Sequence, residues 1–187
     1  MYAIVDIEMT GGTAFNNGII ELAIVLHDGK AVESKFSWLI NPLMPIQPFV
    51  QSLTGITDEM VASAPLFNQL APEIYNLLEN RIFVAHNVSF DYVFVHHYLA
   101  KAGYQLKTPR VCTIKLAKKV LPDLPKYGLA TLCKELNIAN DNRHRAEGDA
   151  LATAELFTLL LTQDTRGELQ KIIKQSKARL AKSKKAA

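Results

Sequence analysis

Apolar residues occur along the chain in short runs, separated by polar turns and by segments of helical periodicity. The run at residues 1–7 is apolar on both faces and predicts a fully buried β-strand. Residues 18–27 and 35–40 predict two further strands, and the turn residues His27-Asp28-Gly29-Lys30 between them favour a β-hairpin. Three prolines follow within residues 42–48, a composition that predicts a loop.

Helical periodicity dominates the remainder of the chain. Thr57 is placed to cap a short helix that begins at Asp58. Longer helices are predicted at residues 66–79, 89–101, 114–120, 129–136 and 148–161. Two short apolar strands interrupt them, at residues 82–85 and 110–113. Because strands and helices alternate after the hairpin, the predicted fold class is α/β, with a mixed central sheet of about five strands flanked by helices.

The composition is that of a globular protein with one main core. The chain has 187 residues, of which 49% are hydrophobic and 21% charged. No apolar run approaches the roughly 18 residues that span a bilayer, and the N-terminus lacks the pattern of a secretory signal, so we expect no membrane contact. Cys112 and Cys133 lack zinc-type spacing and lie in apolar segments, which predicts reduced, buried thiols in a cytoplasmic protein.

The net charge of +3 is distributed unevenly. Residues 166–187 contain eight Lys or Arg and one acid, a charge of +7, so the first 165 residues sum to −4. We therefore predict a domain at 1–165 and a basic C-terminal helix or tail at 166–187, with disorder from residue 176 onward. This segment could contact a polyanion or bind a partner through an apolar strip, or it could be a solvated, frayed helix. The strip consists of Leu169, Ile172, Ile173 and Leu180.

The first predicted strand contains two acids, Asp6 and Glu8. Strand side chains alternate between faces, so these two carboxylates point to the same side of the sheet. Burying two like charges together is costly unless a positive charge neutralises them, and a divalent cation is the simplest candidate. The pair alone is weak evidence, and an incidental structural role is the alternative.

Two further acids and a histidine stand out by their context. Asp91 falls in the first turn of the helix after strand 82–85, and Asp149 lies at the start of the last amphipathic helix, five residues after His144. If all four acids meet, they form a hard oxygen site that suits Mg²⁺ or Mn²⁺. Two such ions roughly 3.5–4 Å apart can activate a water and stabilise the leaving oxygen of a phosphodiester, while a neutral histidine takes the proton. Singly, Asp91 would be a helix N-terminal charge and His144 a surface-loop residue.

Three segments, in this order, resemble the motifs of the DEDDh (DnaQ-like) family of 3′–5′ exonucleases. They are Asp6-Ile7-Glu8-Met9-Thr10-Gly11, His86-Asn87-x-x-Phe90-Asp91 and His144-x-x-x-x-Asp149. Residues 18–23, 53–61 and 111–117 also resemble the family, so that the likeness covers residues 1–163. It implies a ribonuclease H-like fold and a metal-dependent enzyme that releases nucleoside 5′-monophosphates from the 3′ end of nucleic acid.

The resemblance also implies a role for each motif residue. The direct metal ligands would be Asp6, Glu8 and Asp149. Asp91 would complete a two-ion Mg²⁺ or Mn²⁺ site, in part through a bound water, and His144 would be the general base. The terminal nucleotide would be held by Met9, Thr10 and Gly11, with Asn87 and Phe90 nearby. Met9 stands where the family more often has threonine, and we interpret His86 as structural.

The nature of the substrate strand is less well determined by the sequence. A contact at the 2′ position distinguishes RNA from DNA, and one sequence does not reveal such a contact. Residues 53–61 and 111–117 resemble the DNA-directed members of the family, which favours single-stranded DNA 3′ ends, a role in DNA replication or repair, and a DNA polymerase or repair protein as partner. Two alternatives are a non-catalytic binding module that kept the fold and a structural domain in which the Asp6–Glu8 pair is accidental.

Overall fold

Five strands form a single mixed sheet in the computed structural model, which describes residues 1–11 and 16–185, the last three by their backbone alone. The strands are β1 (Tyr2–Met9), β2 (Ile19–His27), β3 (Val32–Leu39), β4 (Ile82–Ala85) and β5 (Arg110–Cys112). Their order across the sheet is β3-β2-β1-β4-β5. The first three are antiparallel neighbours, whereas β4 and β5 run parallel to β1. The predicted α/β fold with a mixed five-stranded sheet is confirmed.

Helices cover both faces of this sheet. Those within the described residues are α1 (Pro48–Thr54), α2 (Asp58–Ala62), α3 (Phe67–Leu78), α4 (Val88–Lys101), α5 (Thr113–Val120), α6 (Leu129–Glu135), α7 (Ala146–Gln163) and α8 (Glu168–Lys185). One core lies between the sheet and α3 with α4, and includes Val5 and Ile7. The other lies between the sheet and α5 to α8, and includes Ile4. Since strand side chains alternate, Asp6 and Glu8 project to the face on which α7 packs.

Two boundaries in the first half of the chain differ from the prediction. The segment 42–48 was expected to be a loop, but a helix, α1, begins at Pro48. Proline is compatible with the first turn of a helix, where its missing N–H has no intrahelical acceptor anyway. In addition, β1 extends to Met9 and β3 starts at Val32, so both strands are longer than expected. The extension of β1 places Glu8 inside the strand.

The C-terminal segment also differs from the prediction. Disorder was expected from residue 176, but α8 continues to Lys185, while residues 186 and 187 lie outside the described residues. Alanine, lysine and leucine, which favour helices, dominate its second half. The hypothesis of an apolar strip open to a partner is wrong for Leu169 and Ile173, which are buried in the core beside α7. No helix of the described chain is long and apolar enough to cross a lipid bilayer.

Candidate active site

Three carboxylates converge at the carboxyl end of β1. One oxygen from each of Asp6, Glu8 and Asp149 lies within 4.8 Å of the other two, and all three side chains are partly exposed. Asp6 and Glu8 reach this point because they alternate with buried residues on β1, and Asp149 reaches it from the first turn of α7. The structure thus brings together residues from the two ends of the chain, in an arrangement that can hold a cation.

Asp91 borders this cluster from the other face of the sheet. It lies in the first turn of α4 and is buried, with 5% of its surface exposed. Its carboxylate accepts hydrogen bonds from the backbone N–H of Ile7 and from its own N–H, and it is close enough to raise the pKa of Asp6. Asp91 is therefore next to the cluster, although it is not among the three oxygens that lie within 4.8 Å of one another.

Burial and mutual repulsion oppose ionisation of these acids. Burial first, and then the charges of Asp91, Asp149 and Glu8, raise the pKa of Asp6 well above its ordinary value. Burial and the nearby Asp149 raise the pKa of Glu8 to about 7, and burial raises that of Asp91 to about 8. A divalent cation would remove this repulsion, and carboxylate oxygens are the ligands that Mg²⁺ and Mn²⁺ prefer. The residues present therefore fit such an ion.

His144 lies in the loop before α7, as expected, and its backbone is bonded to the cluster. The residue adopts a left-handed conformation with φ of 59°, and its N–H donates to Oδ2 of Asp149 at 3.0 Å. The half-buried side chain lines a cavity of about 260 Å³ together with Asp149 and Asn140. Its imidazole makes no hydrogen bond to any described residue, so its nitrogens remain available to a reacting water.

A buried ion pair that the sequence did not reveal fixes this loop. The carboxylate of Glu21, which is 3% exposed, accepts hydrogen bonds from Nε and Nη2 of Arg145 at 3.1 and 2.7 Å. The same carboxylate accepts the backbone N–H of Ala146 at 2.7 Å. Glu21 is also the partner of Glu8 in the β1–β2 register. An acid in an otherwise apolar strand was the one signal that could have identified this pair.

The residues predicted to hold a nucleotide after β1 are constrained by the protein itself. Thr10 is 1% exposed, and its hydroxyl accepts the N–H of Gly18 at 2.9 Å. A β-carbon on Gly11 would lie 2.3 Å from Oδ1 of Asn17, so only glycine fits there. Met9 is partly buried and packs against the core. These contacts set the shape of the segment, and its contact with substrate stays a prediction.

The second motif contains one exposed and two more enclosed residues. Asn87 is exposed at the start of α4 with φ of 78°, and the half-buried ring of Phe90 packs on Phe94. His86 donates from Nε2 to the carbonyl of Tyr127 at 3.0 Å, so its Nδ1 accepts the Thr113 hydroxyl.

Burial lowers the pKa of His86 to about 4, which keeps its imidazole neutral. Its two hydrogen bonds join the end of β4 to α5 and to the loop before α6. They fit the structural role expected of His86 and leave none of its ring nitrogens free to take a proton.

Comparison with known proteins gives a consistent result. The RNase_T family, described as exonuclease, matches residues 3–157. The chain is 37% identical over 162 residues to the 3′–5′ exonuclease DinG of Bacillus subtilis (strain 168), a match that covers 86% of the chain but 17% of DinG. It is 34% identical to the DNA polymerase III subunit epsilon of Aquifex aeolicus (strain VF5), over 87% of the chain and 81% of that subunit.

Solved structures show the same relationship. Exonuclease X in complex with 5′ overhanging duplex DNA superposes with a TM-score of 0.71 and 30% identity, over 87% of this chain and 92% of that one. The ribonuclease H-like fold expected from the motifs is confirmed by this neighbour and by the order of the five strands. The chain nevertheless spans far less than two thirds of the length of DinG.

Proposed function

Because the chain belongs to the RNase_T exonuclease family, we propose that it degrades single-stranded DNA from the 3′ end and releases nucleoside 5′-monophosphates. The observation that carries this proposal is the convergence of Asp6, Glu8 and Asp149 beside a histidine with an unengaged imidazole. A site at the edge of a sheet acts on a chain end most readily when the last nucleotides are unpaired.

DNA is proposed over RNA because of the proteins that resemble this chain. One is named as a subunit of DNA polymerase III, and another was solved with 5′ overhanging duplex DNA. A role in DNA replication or repair follows, in the cytoplasm, with a DNA polymerase or a repair protein as candidate partner. Residues 1–165 would form the exonuclease domain, and residues 166–187 would add a basic segment to it.

The metal ligands in this proposal are the four acids. Asp6, Glu8 and Asp149 would hold two Mg²⁺ or Mn²⁺ ions, and Asp91 would complete the set. When bound, such ions lower the pKa of an attacking water and stabilise negative charge on the leaving oxygen. The acids bind the ions only as carboxylates, so protons that burial retains must leave when the ions enter.

The residues around the cluster would orient the reaction. The imidazole of His144 would accept the proton of the attacking water, because its nitrogens are not engaged with described residues. The bond from its backbone N–H to Asp149 keeps the base and a ligand in one frame. Thr10 and Gly11 would hold the terminal nucleotide through the backbone shape that their own contacts impose.

The test uses single-stranded oligonucleotides labelled at either end and incubated with Mg²⁺, Mn²⁺ or EDTA. The 3′ label should appear at once as a mononucleotide, and EDTA should stop its release. Asp6→Asn and Asp149→Asn should reduce the rate to background, whereas Asp123→Asn, at an exposed position, should not change it. Early release of a 5′ label, or activity that persists in EDTA, would contradict the proposal.

A DNA and an RNA oligonucleotide of the same sequence extend the assay to the sugar. The value of kcat/KM should be higher for the DNA strand. An equal or higher value for the RNA strand would reject the DNA preference and leave the proposed polarity and chemistry intact.

A further inference from the structure

Helix α8 lies beyond the residues that match the exonuclease family, yet it is docked on the fold. Leu169 and Ile173 are buried in the core shared with α7, at 4% and 5% exposure. Farther along the helix, Oγ of Ser176 accepts the backbone N–H of Arg110 on the edge strand β5 at 2.8 Å. These contacts fix the position of the basic segment relative to the sheet.

A polar groove of about 240 Å³ runs between α8, β5, α5 and the first turn of α4, and we call it the α8 groove. It contains four cationic side chains from three different elements. They are Arg110, Lys115, Lys119 and Arg179. No carboxylate lines the groove in the part of the chain that is described. A surface of one sign that is gathered from separate elements attracts a polyanion.

Two of these cations already have partners. Lys119 forms an ion pair with Glu168 at 3.0 Å, and the guanidinium of Arg110 lies 4.3 Å from the centre of the Tyr92 ring. Both contacts hold the side chains in place at the walls of the groove. Neither partner projects a negative charge into it, because Glu168 and Tyr92 are not among its lining residues.

The other two cations are exposed and lack a negative partner. Lys115 on α5 and Arg179 on α8 form no ion pair with any described residue. The lysines of α8 at 174 and 177 are equally exposed but do not line the groove. At about 100° per residue they lie roughly 140–160° around the helix from Arg179. The groove cations therefore differ in position from the solvated charges of the same helix.

The groove opens beside the proposed active site. Ser89, which lines it, lies in the first turn of α4, the turn that also contains Asp91. That turn follows β4 directly, and β4 is the parallel neighbour of β1, so both strands end at the same edge of the sheet. A strand whose 3′ end reaches the acidic cluster therefore has the α8 groove within reach of its preceding nucleotides.

We propose that the α8 groove binds the backbone phosphates of the substrate strand upstream of the nucleotide being removed. This inference rests on the proposed function, since it assigns the path of that substrate. Lys115 and Arg179 would contact phosphate oxygens, and the hydroxyl of Ser176 can donate to them while its oxygen keeps the bond to β5. Phosphate contacts are indifferent to base and sugar, so the groove strengthens binding without selecting a sequence.

The test compares two double variants that each lose two positive charges. Lys115→Gln with Arg179→Gln removes the exposed groove cations, and Lys174→Gln with Lys177→Gln is the matched control on the far side of α8. Binding of a 12-nucleotide single strand is measured by fluorescence anisotropy in EDTA at several salt concentrations. The groove variant should bind several-fold more weakly, and its slope of log K against log[salt] should decrease by about 1. The control should match the wild type.

Hydrolysis of a dinucleotide, which is too short to reach the groove, separates this inference from the proposed function. The groove variant should cleave the dinucleotide at the wild-type rate and the 12-nucleotide strand with a raised KM. A wild type that cleaves neither substrate rejects the proposed function, and the anisotropy result still decides the groove. Equal affinity of the two double variants for the strand would overturn the groove proposal, leaving an acidic protein segment as the occupant to consider.

Discussion

Single residues of the acidic cluster make its charge state depend on pH and on bound cations. Asp6, Glu8 and Asp91 have raised pKa values because burial and neighbouring acids disfavour their ionised forms. A group whose pKa is higher in the folded state contributes stability at low pH and loses it as the pH rises through the folded value. A cation held by the same oxygens reverses this tendency, because it favours the ionised form.

We expect the metal-free protein to lose stability between about pH 5 and pH 8.5. The window follows from pKa values of about 7 for Glu8 and about 8 for Asp91, both above the unfolded values. The free energy of unfolding should fall by roughly 2–4 kcal/mol across it. Urea unfolding in EDTA measures the fall, and Mn²⁺ should reverse it.

Asp6→Asn provides the control for this titration, because it removes one of the mutually repelling charges and keeps the shape of the side chain. The variant should be more stable than the wild type at pH 8 in EDTA. Stability in EDTA that does not change with pH would contradict the raised pKa values of the cluster.

Replacement of His144 by alanine should reduce kcat by about 10²–10⁴-fold, the range for loss of a general base, with little change in KM. The backbone N–H that binds Asp149 is retained in this variant, so the ligand set should stay in place. His96→Ala, at an exposed position on α4, is the matched control and should keep full activity. A His144→Ala enzyme with the wild-type kcat would remove His144 from the mechanism.

At the scale of elements, the ends of strands and helices position the site. Asp91 and Asp149 both lie in first turns, and the second of these turns is held to β2 by the Glu21–Arg145 pair. The pair is asymmetric, since Glu21 is 3% exposed and the Arg145 side chain 40%. Loss of the arginine would strand a buried carboxylate, whereas loss of the glutamate charge would leave an arginine that water can reach.

Arg145→Gln should therefore destabilise the protein more than Glu21→Gln does. We expect about 3 kcal/mol or more for the arginine variant and about 1–2 kcal/mol for the glutamate variant, whose amide oxygen can still accept from Ala146. Lys35→Gln breaks the exposed pair with Glu147 nearby and should change the free energy of unfolding by less than about 1 kcal/mol. Chemical denaturation checks all three, and the reverse ranking would contradict the buried-pair interpretation.

The elements differ in how well the sequence predicts them, and the reason is the range of the interactions involved. Apolar runs and helical periodicity identify β2 and α4 within a residue of their ends, because neighbours in sequence determine both patterns. The motif acids were found by their spacing along such elements. The start of α1 at Pro48 was missed because proline both breaks helices and begins them.

Features that depend on distant partners could not be predicted from local pattern. Glu21 pairs with Arg145 across 124 positions of sequence, and no periodicity relates the two. The inward face of α8 was taken for an exposed strip because only the docked structure shows that Leu169 meets the core. Sequence predicts which residues are basic, but docking decides which of them line a groove.

At the scale of the whole molecule, α8 joins the C-terminal segment to the main core. Its buried residues pack in the same cluster as α5, α6 and α7, and it covers the edge strand β5. A truncation that removes α8 would therefore expose apolar surface and a sheet edge as well as delete positive charge. Point variants of the surface cations separate these effects.

Ile173→Ala should lower the free energy of unfolding by about 2–5 kcal/mol, the usual cost of removing a buried aliphatic side chain. Lys174→Ala changes the neighbouring exposed position and should alter stability by no more than about 0.5 kcal/mol. Both are measured by urea unfolding at one Mn²⁺ concentration. Equal, small effects of the two variants would show that α8 is not part of the cooperative unit.

The union of Asp6 and Glu8 on β1 with Asp149 on α7 has a consequence for biosynthesis. The ribosome delivers β1 among the first residues and α7 among the last, so a growing chain presents half of the proposed ligand set for most of its synthesis. Such a chain is harmless to the messenger being read beside it. The order of the elements thus works as a safety delay, in which cutting begins only after translation has passed α7 and the two ends have met.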